Sequence, residues 1–197
     1  MSYWEGINLT PFEQSRGRTT IHMSHLITKY MSNSLSTMII IQQQVHASTN
    51  ICPRCGTVLE TIQHIYQWTH EGIIVRRTAS VYTFKKWLET RNTDPDISTI
   101  FVSALLYIAG EINDLPQCPN LALHYDILHI VCPYILLGFI PKSLALTQQT
   151  YFTHIGRKTG LKWASQLITQ IWKLNYGQWL HRSKTNNTGE TLDDNTR

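Results

Sequence analysis

Two cysteines separated by two residues are the groups whose spacing most clearly predicts chemistry in this chain. The segment Cys52-Pro53-Arg54-Cys55-Gly56 places two thiols on one tight turn, where both can bind a single zinc ion at about 2.3 Å. Gly56 can adopt a positive φ, which lets backbone N–H groups point at the sulfurs. His64 follows on a predicted helix and offers a third ligand. A redox CxxC needs a βαβ setting that is not visible here. With His64 as a third ligand, the pattern favours a zinc site over two ordinary thiols.

The fourth zinc ligand is less well defined than the first three. One helical turn beyond His64 the chain has Trp68, which cannot bind zinc. His70 is the nearest candidate, although a continuous helix would turn it about 120° away from His64. It can face the other ligands only if the helix ends near Gln67. The remaining cysteines, Cys118 and Cys132, are either alternative donors or small core residues.

A longer pattern surrounds these ligands. Cys52-Pro-Arg-Cys-Gly is followed by Glu60, Thr61 and His64-Ile-Tyr-Gln-Trp-Thr-His-Glu, and the last helix opens with Thr159-Gly160-Leu-Lys-Trp-Ala. Together these segments resemble the cysteine–histidine knuckle region that follows the reverse transcriptase domain in retroelement polyproteins of diatoms and other protists. The chain departs from that family where Trp68 replaces a cysteine, and where Ser183 replaces an asparagine.

The resemblance implies a non-catalytic fragment of a reverse transcriptase polyprotein, an accessory region with a zinc knuckle and weak, non-specific binding of RNA or DNA. The residues themselves agree with a non-enzyme. Tyr125-Asp126 is followed by Ile127, so a paired-aspartate polymerase signature is missing. A nucleophile elbow and a complete P-loop are also missing, and no small-molecule substrate is expected. The alternatives are a metal-free helical remnant and a protein-interaction module.

The distribution of charge predicts where nucleic acid would bind. The chain has 17 Lys and Arg against 13 Asp and Glu, and residues 1–92 carry nine basic and five acidic residues. Such an excess indicates either contact with phosphates or a solvated surface. Two basic pairs lie about nine residues apart on one predicted helix and are expected to share a face. The predicted nucleic-acid contacts are Arg54, Arg76, Arg77, Lys85, Lys86, Arg157 and Lys158.

Hydrophobic periodicity predicts a mostly α fold with a small turn or hairpin near residues 51–70. We expect an N-terminal helical segment over 1–50, the knuckle over 51–72, a helical domain over 73–183 and a disordered tail over 184–197. The expected helices cover 11–46 in at least two pieces, 62–69, 73–90, 97–112, 143–154 and 161–181. The last should be the most buried, with Leu161, Ala164, Ile168 and Ile171 on one stripe. Asp96 is expected to cap the helix from 97.

Neither membrane insertion nor secretion is expected. The apolar stretches 97–110 and 127–141 are both shorter than the roughly 20 residues of a spanning helix. The first residues show no secretory signal. Four cysteines are too few for a disulfide scaffold, which predicts an intracellular protein, nuclear or cytoplasmic.

Overall fold

The computed structural model describes residues 9–32, 37, 40, 50–68, 71–114, 135–156 and 160–188, and this part of the chain is mostly α-helical. An isolated antiparallel bridge joins Ile51 and Leu59 in the cysteine segment. The predicted fold class, with a small hairpin in the cysteine segment, is therefore confirmed. The helices are α1 (Leu9–Arg16), α2 (Ile21–Met31), α3 (Ile62–Tyr66), α4 (Glu71–Thr90), α5 (Pro95–Ile108), α6 (Lys142–His154) and α7 (Gly160–Thr188), with a 3₁₀ turn at Ile135–Leu137.

Helix α7 is the central element of the core. Helices α1, α2, α4 and α6 and the 3₁₀ turn all pack against it, while α5 packs on α4. Its side chains Leu167, Ile168, Ile171 and Trp172 are 0–1% exposed, as predicted for the most buried helix. Leu161 is 41% exposed, so the predicted stripe is wrong at its first position.

The N-terminal segment belongs to this same core. Phe12 of α1 stacks on Phe139 and meets the Trp172 ring edge-on, with ring centroids 5.4 and 5.2 Å apart. Ser15 donates a hydrogen bond of 2.7 Å to the carbonyl of Ser165 in α7. These contacts bury α1 against the middle of the chain's longest helix.

The start of α5 differs from the sequence prediction. The N-cap is Asp94, whose carboxylate accepts hydrogen bonds from the N–H groups of Asp96 and Ile97. Pro95 is therefore the first helical residue, where its missing N–H has no cost. The expectation that Asp96 caps this helix is wrong because Pro95 has already adopted helical φ.

The C-terminal boundary was also predicted too early. Helix α7 continues through residue 188, so residues 184–188 do not belong to a disordered tail. Residues 189–197 lie outside the described part of the chain. So do most residues between 33 and 46 of the expected N-terminal helices, and residues 127–134 of the second apolar stretch.

The apolar stretch 97–110 lies mostly in α5, and its residues Ile97 and Phe101 are buried in the core. Within the described ranges, no helix combines the length and the apolar character needed to cross a membrane.

We predict that Gly138→Ala destabilises the protein by about 3 kcal/mol or more. Gly138 has φ +81°, and an added Cβ would lie 2.7 Å from Nε1 of Trp172, so backbone strain of about 1–2 kcal/mol adds to overpacking of about 1–3 kcal/mol. Gly156→Ala is the matched control, because Gly156 has φ +73° with open space around it. Urea unfolding of both variants measures the difference. Equal losses would show that the Trp172 contact is not tight.

Candidate metal centre

A short hairpin positions the two thiols. Cys52 donates its backbone N–H to the carbonyl of Val58 at 2.7 Å, and Gly56 donates to the carbonyl of Cys52 at 2.9 Å. Gly56 has φ +67°, in the left-handed region that its missing side chain allows. The predicted tight turn is therefore present, with Cys52 fully buried and Cys55 exposed on it.

Helix α3 brings the imidazole to the same place. Thr61 caps the helix by accepting a hydrogen bond of 3.0 Å from the N–H of His64, and Gln67 is the C-cap. Nε2 of His64 lies 3.4 Å from Sγ of Cys55. One ligand atom from each of Cys52, Cys55 and His64 lies within 4.8 Å of the other two, so this group could hold a metal ion.

The spacing of these atoms is close to that of a bound site. Two sulfurs in a tetrahedral zinc site at about 2.3 Å from the ion are about 3.8 Å apart. The 3.4 Å separation of Cys55 and His64 already suits such ligands. The remaining distances, at most 4.8 Å, need a contraction of no more than about 1 Å.

The turn also prepares the sulfurs for a cation. Burial raises the pKa of the Cys52 thiol, although the N–H groups of Cys55 and Arg54 oppose this by hydrogen bonding to its sulfur. At Cys55, burial again raises the pKa, but hydrogen bonds from Thr57, Val58 and His64 outweigh it and lower the pKa to about 6. Cys55 is therefore largely a thiolate at neutral pH, the form that binds metal.

A buried ion pair attaches the hairpin to the core helix. Arg182 of α7 donates through Nη2 to Oε2 of Glu60 at 2.6 Å and through Nε to Oε1 at 3.2 Å. Glu60 is 0% exposed and Arg182 is 6% exposed. The guanidinium of Arg182 also lies over the Trp179 ring, 5.0 Å from its centroid. The sequence offered Glu60 only as part of a motif, because an ion pair between residues 122 apart leaves no local pattern.

Trp68 follows His64 by four residues, just after the end of α3. It is 4% exposed and packs in a small core with Cys52, Ile65 and Ile73, against which Trp179 also packs. Arg54 lies over the Trp68 ring, 4.5 Å from its centroid. Arg54, predicted to contact nucleic acid, is thus half-buried against the knuckle.

Arg77, a second residue predicted to contact nucleic acid, is buried in the structure. It is 5% exposed, pairs with Glu111 at 2.7 Å and donates to the carbonyls of Tyr66 and Trp68 at 2.6 and 3.1 Å. The prediction that Arg77 meets phosphate at the surface is wrong, because its guanidinium holds the end of α3 instead.

The other basic residues of α4 do not share one face. Nine residues at about 100° each amount to two and a half turns, so Arg76 and Lys85 point to opposite sides of the helix. Arg76, Lys85 and Lys86 are all exposed, and the Lys86 ammonium lies over the Tyr82 ring, 4.9 Å from its centroid. The expectation of a shared face is therefore wrong.

Several predicted site residues fall outside the described part of the chain. These are the fourth-ligand candidates His70, Cys118 and Cys132, and the basic residues Arg157 and Lys158. The end of α3 at Tyr66, with Gln67 as C-cap, meets the condition under which the chain beyond it can turn back towards the thiols.

No protein-family model, no curated protein and no solved structure matches this chain. Its function must therefore be inferred from the geometry and chemistry of its own residues.

We predict that Arg182→Met destabilises the protein by about 3–5 kcal/mol, because it leaves the buried carboxylate of Glu60 without its cation. Lys162→Met is the matched control: Lys162 lies in the first turn of α7 and is exposed, so its loss should change stability by no more than about 0.5 kcal/mol. Chemical denaturation of the two variants makes the comparison. A loss below 1 kcal/mol in Arg182→Met would contradict the ion pair as the attachment of the hairpin.

Proposed function

We propose that this chain is a zinc-stabilised, non-catalytic helical module in which Cys52, Cys55 and His64 bind one zinc ion. The observation that carries the proposal is the convergence of two thiols from a hairpin and one imidazole from α3, all within 4.8 Å. The ion would link the hairpin to the helix that follows it.

The donor set favours zinc over other metals. Thiolates and imidazole are the common ligands of structural zinc, whereas calcium and magnesium take oxygen ligands. The exposed thiol of Cys55, with its pKa lowered to about 6, is suited to bind first. Coordination would then remove the proton from Cys52, since a metal-bound thiol ionises.

A structural role for the ion suits the surroundings better than a catalytic one. Both oxygens of Glu60 accept hydrogen bonds from Arg182, so this neighbouring carboxylate is not placed to act as a general base. The hairpin has a single β-bridge, and an isolated two-stranded hairpin is marginal in water. A bound ion would supply the cross-link that the hairpin lacks.

His70 completes the site in this proposal. Helix α3 ends at Tyr66, before the position at which a continuous helix would direct His70 away from His64. Four protein ligands would make a closed structural site, whereas three ligands and a water would leave one position open.

The nucleic-acid part of the proposal starts from the resemblance to the knuckle region of retroelement polyproteins. Such a module would assist an associated reverse transcriptase by holding RNA or DNA weakly and without sequence preference. The exposed cations Arg76 on α4 and Lys173 on α7 support contact with phosphates. A metal-free helical interaction module is the alternative, and metal content separates the two.

We predict one zinc per chain in protein purified without chelator. Cys55→Ser and His64→Ala should each lower zinc affinity by at least about a hundredfold, because each removes a ligand. His154→Ala is the control, since His154 lies exposed at the end of α6 and should leave affinity unchanged. Competition with a chromogenic chelator measures all three.

His70→Ala in the same assay identifies the fourth ligand. A loss like that of His64→Ala supports the closed site, whereas unchanged affinity shows that His70 is not a ligand. A wild-type protein free of zinc after reconstitution would overturn the metal proposal.

We further predict that in a His70→Ala background, which leaves the fourth position open, Trp68→Cys binds zinc on the order of tenfold or more tightly than Trp68→Ser. Trp68 lies beside His64, with ring centroids 6.4 Å apart, so a thiol there can approach the ion. Both variants lose the same indole packing, and they differ only in the sulfur. Equal zinc affinity in the two variants would contradict the proposed position of the site.

A further inference from the structure

An open groove runs between α4 and α7, away from the metal centre. Its volume is about 440 Å³. Trp87 forms a half-buried wall, and buried Phe84 lies beneath it. The polar and aromatic lining consists of Arg76, Ser80, Thr83 and Trp87 from α4 and Gln170 and Lys173 from α7. Among the described residues that line it, none is acidic.

Both walls of the groove carry a cation. Arg76 on α4 and Lys173 on α7 are exposed, so positive charge comes from the two sides. Arg76 and Trp87 are eleven residues apart, which places them on one face of α4 about 16 Å apart. The Trp87 ring stacks on Phe84 with ring centroids 6.2 Å apart, and the exposed guanidinium of Arg91 lies 6.0 Å from the Trp87 centroid. The groove thus offers an elongated surface with Arg76 and Trp87 at opposite ends and a further cation over the aromatic ring.

Helix α7 extends this positive surface along its length. It contains four Lys and Arg and no Asp or Glu over its 29 residues. Three exposed lysines recur every eleven residues along the helix: Lys162, Lys173 and Lys184. Eleven residues make about three turns plus 20°, so each lysine lies about 20° around the helix from the one before it. The row is hard to recognise in the sequence because the neighbouring tryptophans indicate a core helix.

We propose that this groove binds a single-stranded nucleic acid, with the phosphate backbone along Arg76 and the lysine row of α7. A base takes the place of the exposed Arg91 guanidinium over the Trp87 ring. Cations that follow a backbone, together with an aromatic face for a base, are the common elements of single-strand binding. The proposal names the contact surface for the nucleic-acid part of the proposed function, and it does not depend on zinc.

A single strand suits the groove better than a duplex does. The Trp87 wall is recessed between two helices, and only an unpaired base can turn its face towards it. An acidic peptide would satisfy Arg76 and Lys173 but has no flat ring to place on the indole. The experiment must therefore distinguish binding of an acidic peptide from binding of a single strand.

The test uses zinc-loaded full-length protein and fluorescence anisotropy with a labelled dT15 strand, the matching duplex and a labelled poly-glutamate peptide. We expect the single strand to bind more tightly than either other probe. With three phosphate contacts, its affinity should fall about twentyfold between 50 and 200 mM salt. Arg76→Gln and Lys173→Gln should each weaken binding by about three- to fivefold and reduce the log–log salt slope by about 0.7.

Lys85→Gln is the matched control, because it removes the same charge from the opposite side of α4. Affinity that falls equally in Lys85→Gln would show a diffuse charge effect and overturn the groove. Absence of single-strand binding, or tighter binding of duplex or poly-glutamate, would also overturn it. Metal content is measured on the same samples, so failure here with stoichiometric zinc leaves the metal proposal standing.

Discussion

The position of the metal centre depends on the attachment of a short hairpin to the long core helix α7 by one buried ion pair. The hairpin carries two of the three converging ligand side chains but has only one β-bridge of its own. Glu60 at its end is held by Arg182 in α7, with both side chains buried. This pair places the thiols beside the helix that carries His64, and a bound ion would add a second link. Because desolvating two charges is costly, a buried pair needs good geometry, and Arg182 donates from both Nε and Nη2 to the Glu60 carboxylate.

Helix α7 connects the two surfaces to which we assign function. Its inner face supplies Leu167, Ile171 and Trp172 to the core, and near its C-terminal end Arg182 reaches the knuckle. Its outer face carries Lys173 into the groove beside α4. The metal centre and the groove therefore share one rigid element, although their ligands and their tests are separate.

The parts of the fold that depend on local pattern were predictable from the sequence. The thiol spacing, the glycine after Cys55 and the period of α7 act within a few residues, and the structure has all three. Asp94 was missed as N-cap because Pro95 shifts the helix start by two residues. Leu161 was misplaced because the helix has just begun there and its side chain remains at the surface.

The misses at the site have a different origin, since they arise from contacts distant in sequence. Arg77 was predicted to be a surface cation because no residue near it in sequence indicates its pairing with Glu111, 34 residues later. The pairing of Glu60 with Arg182 spans 122 residues. Charge patterns along one helix could not show which basic residues meet a partner from another element. The eleven-residue spacing of the lysines in α7 could have predicted the row. It was overlooked because the same helix was interpreted as a buried core helix.

Zinc X-ray absorption spectroscopy of the purified, reconstituted protein tests the central claim most directly. The account predicts two sulfur scatterers at about 2.3 Å and a nitrogen shell at about 2.0–2.1 Å that includes an imidazole. Loss of one sulfur in Cys55→Ser should leave a single sulfur in the first shell. A first shell of nitrogen and oxygen only, or a spectrum unchanged in Cys55→Ser, would contradict binding by Cys52, Cys55 and His64.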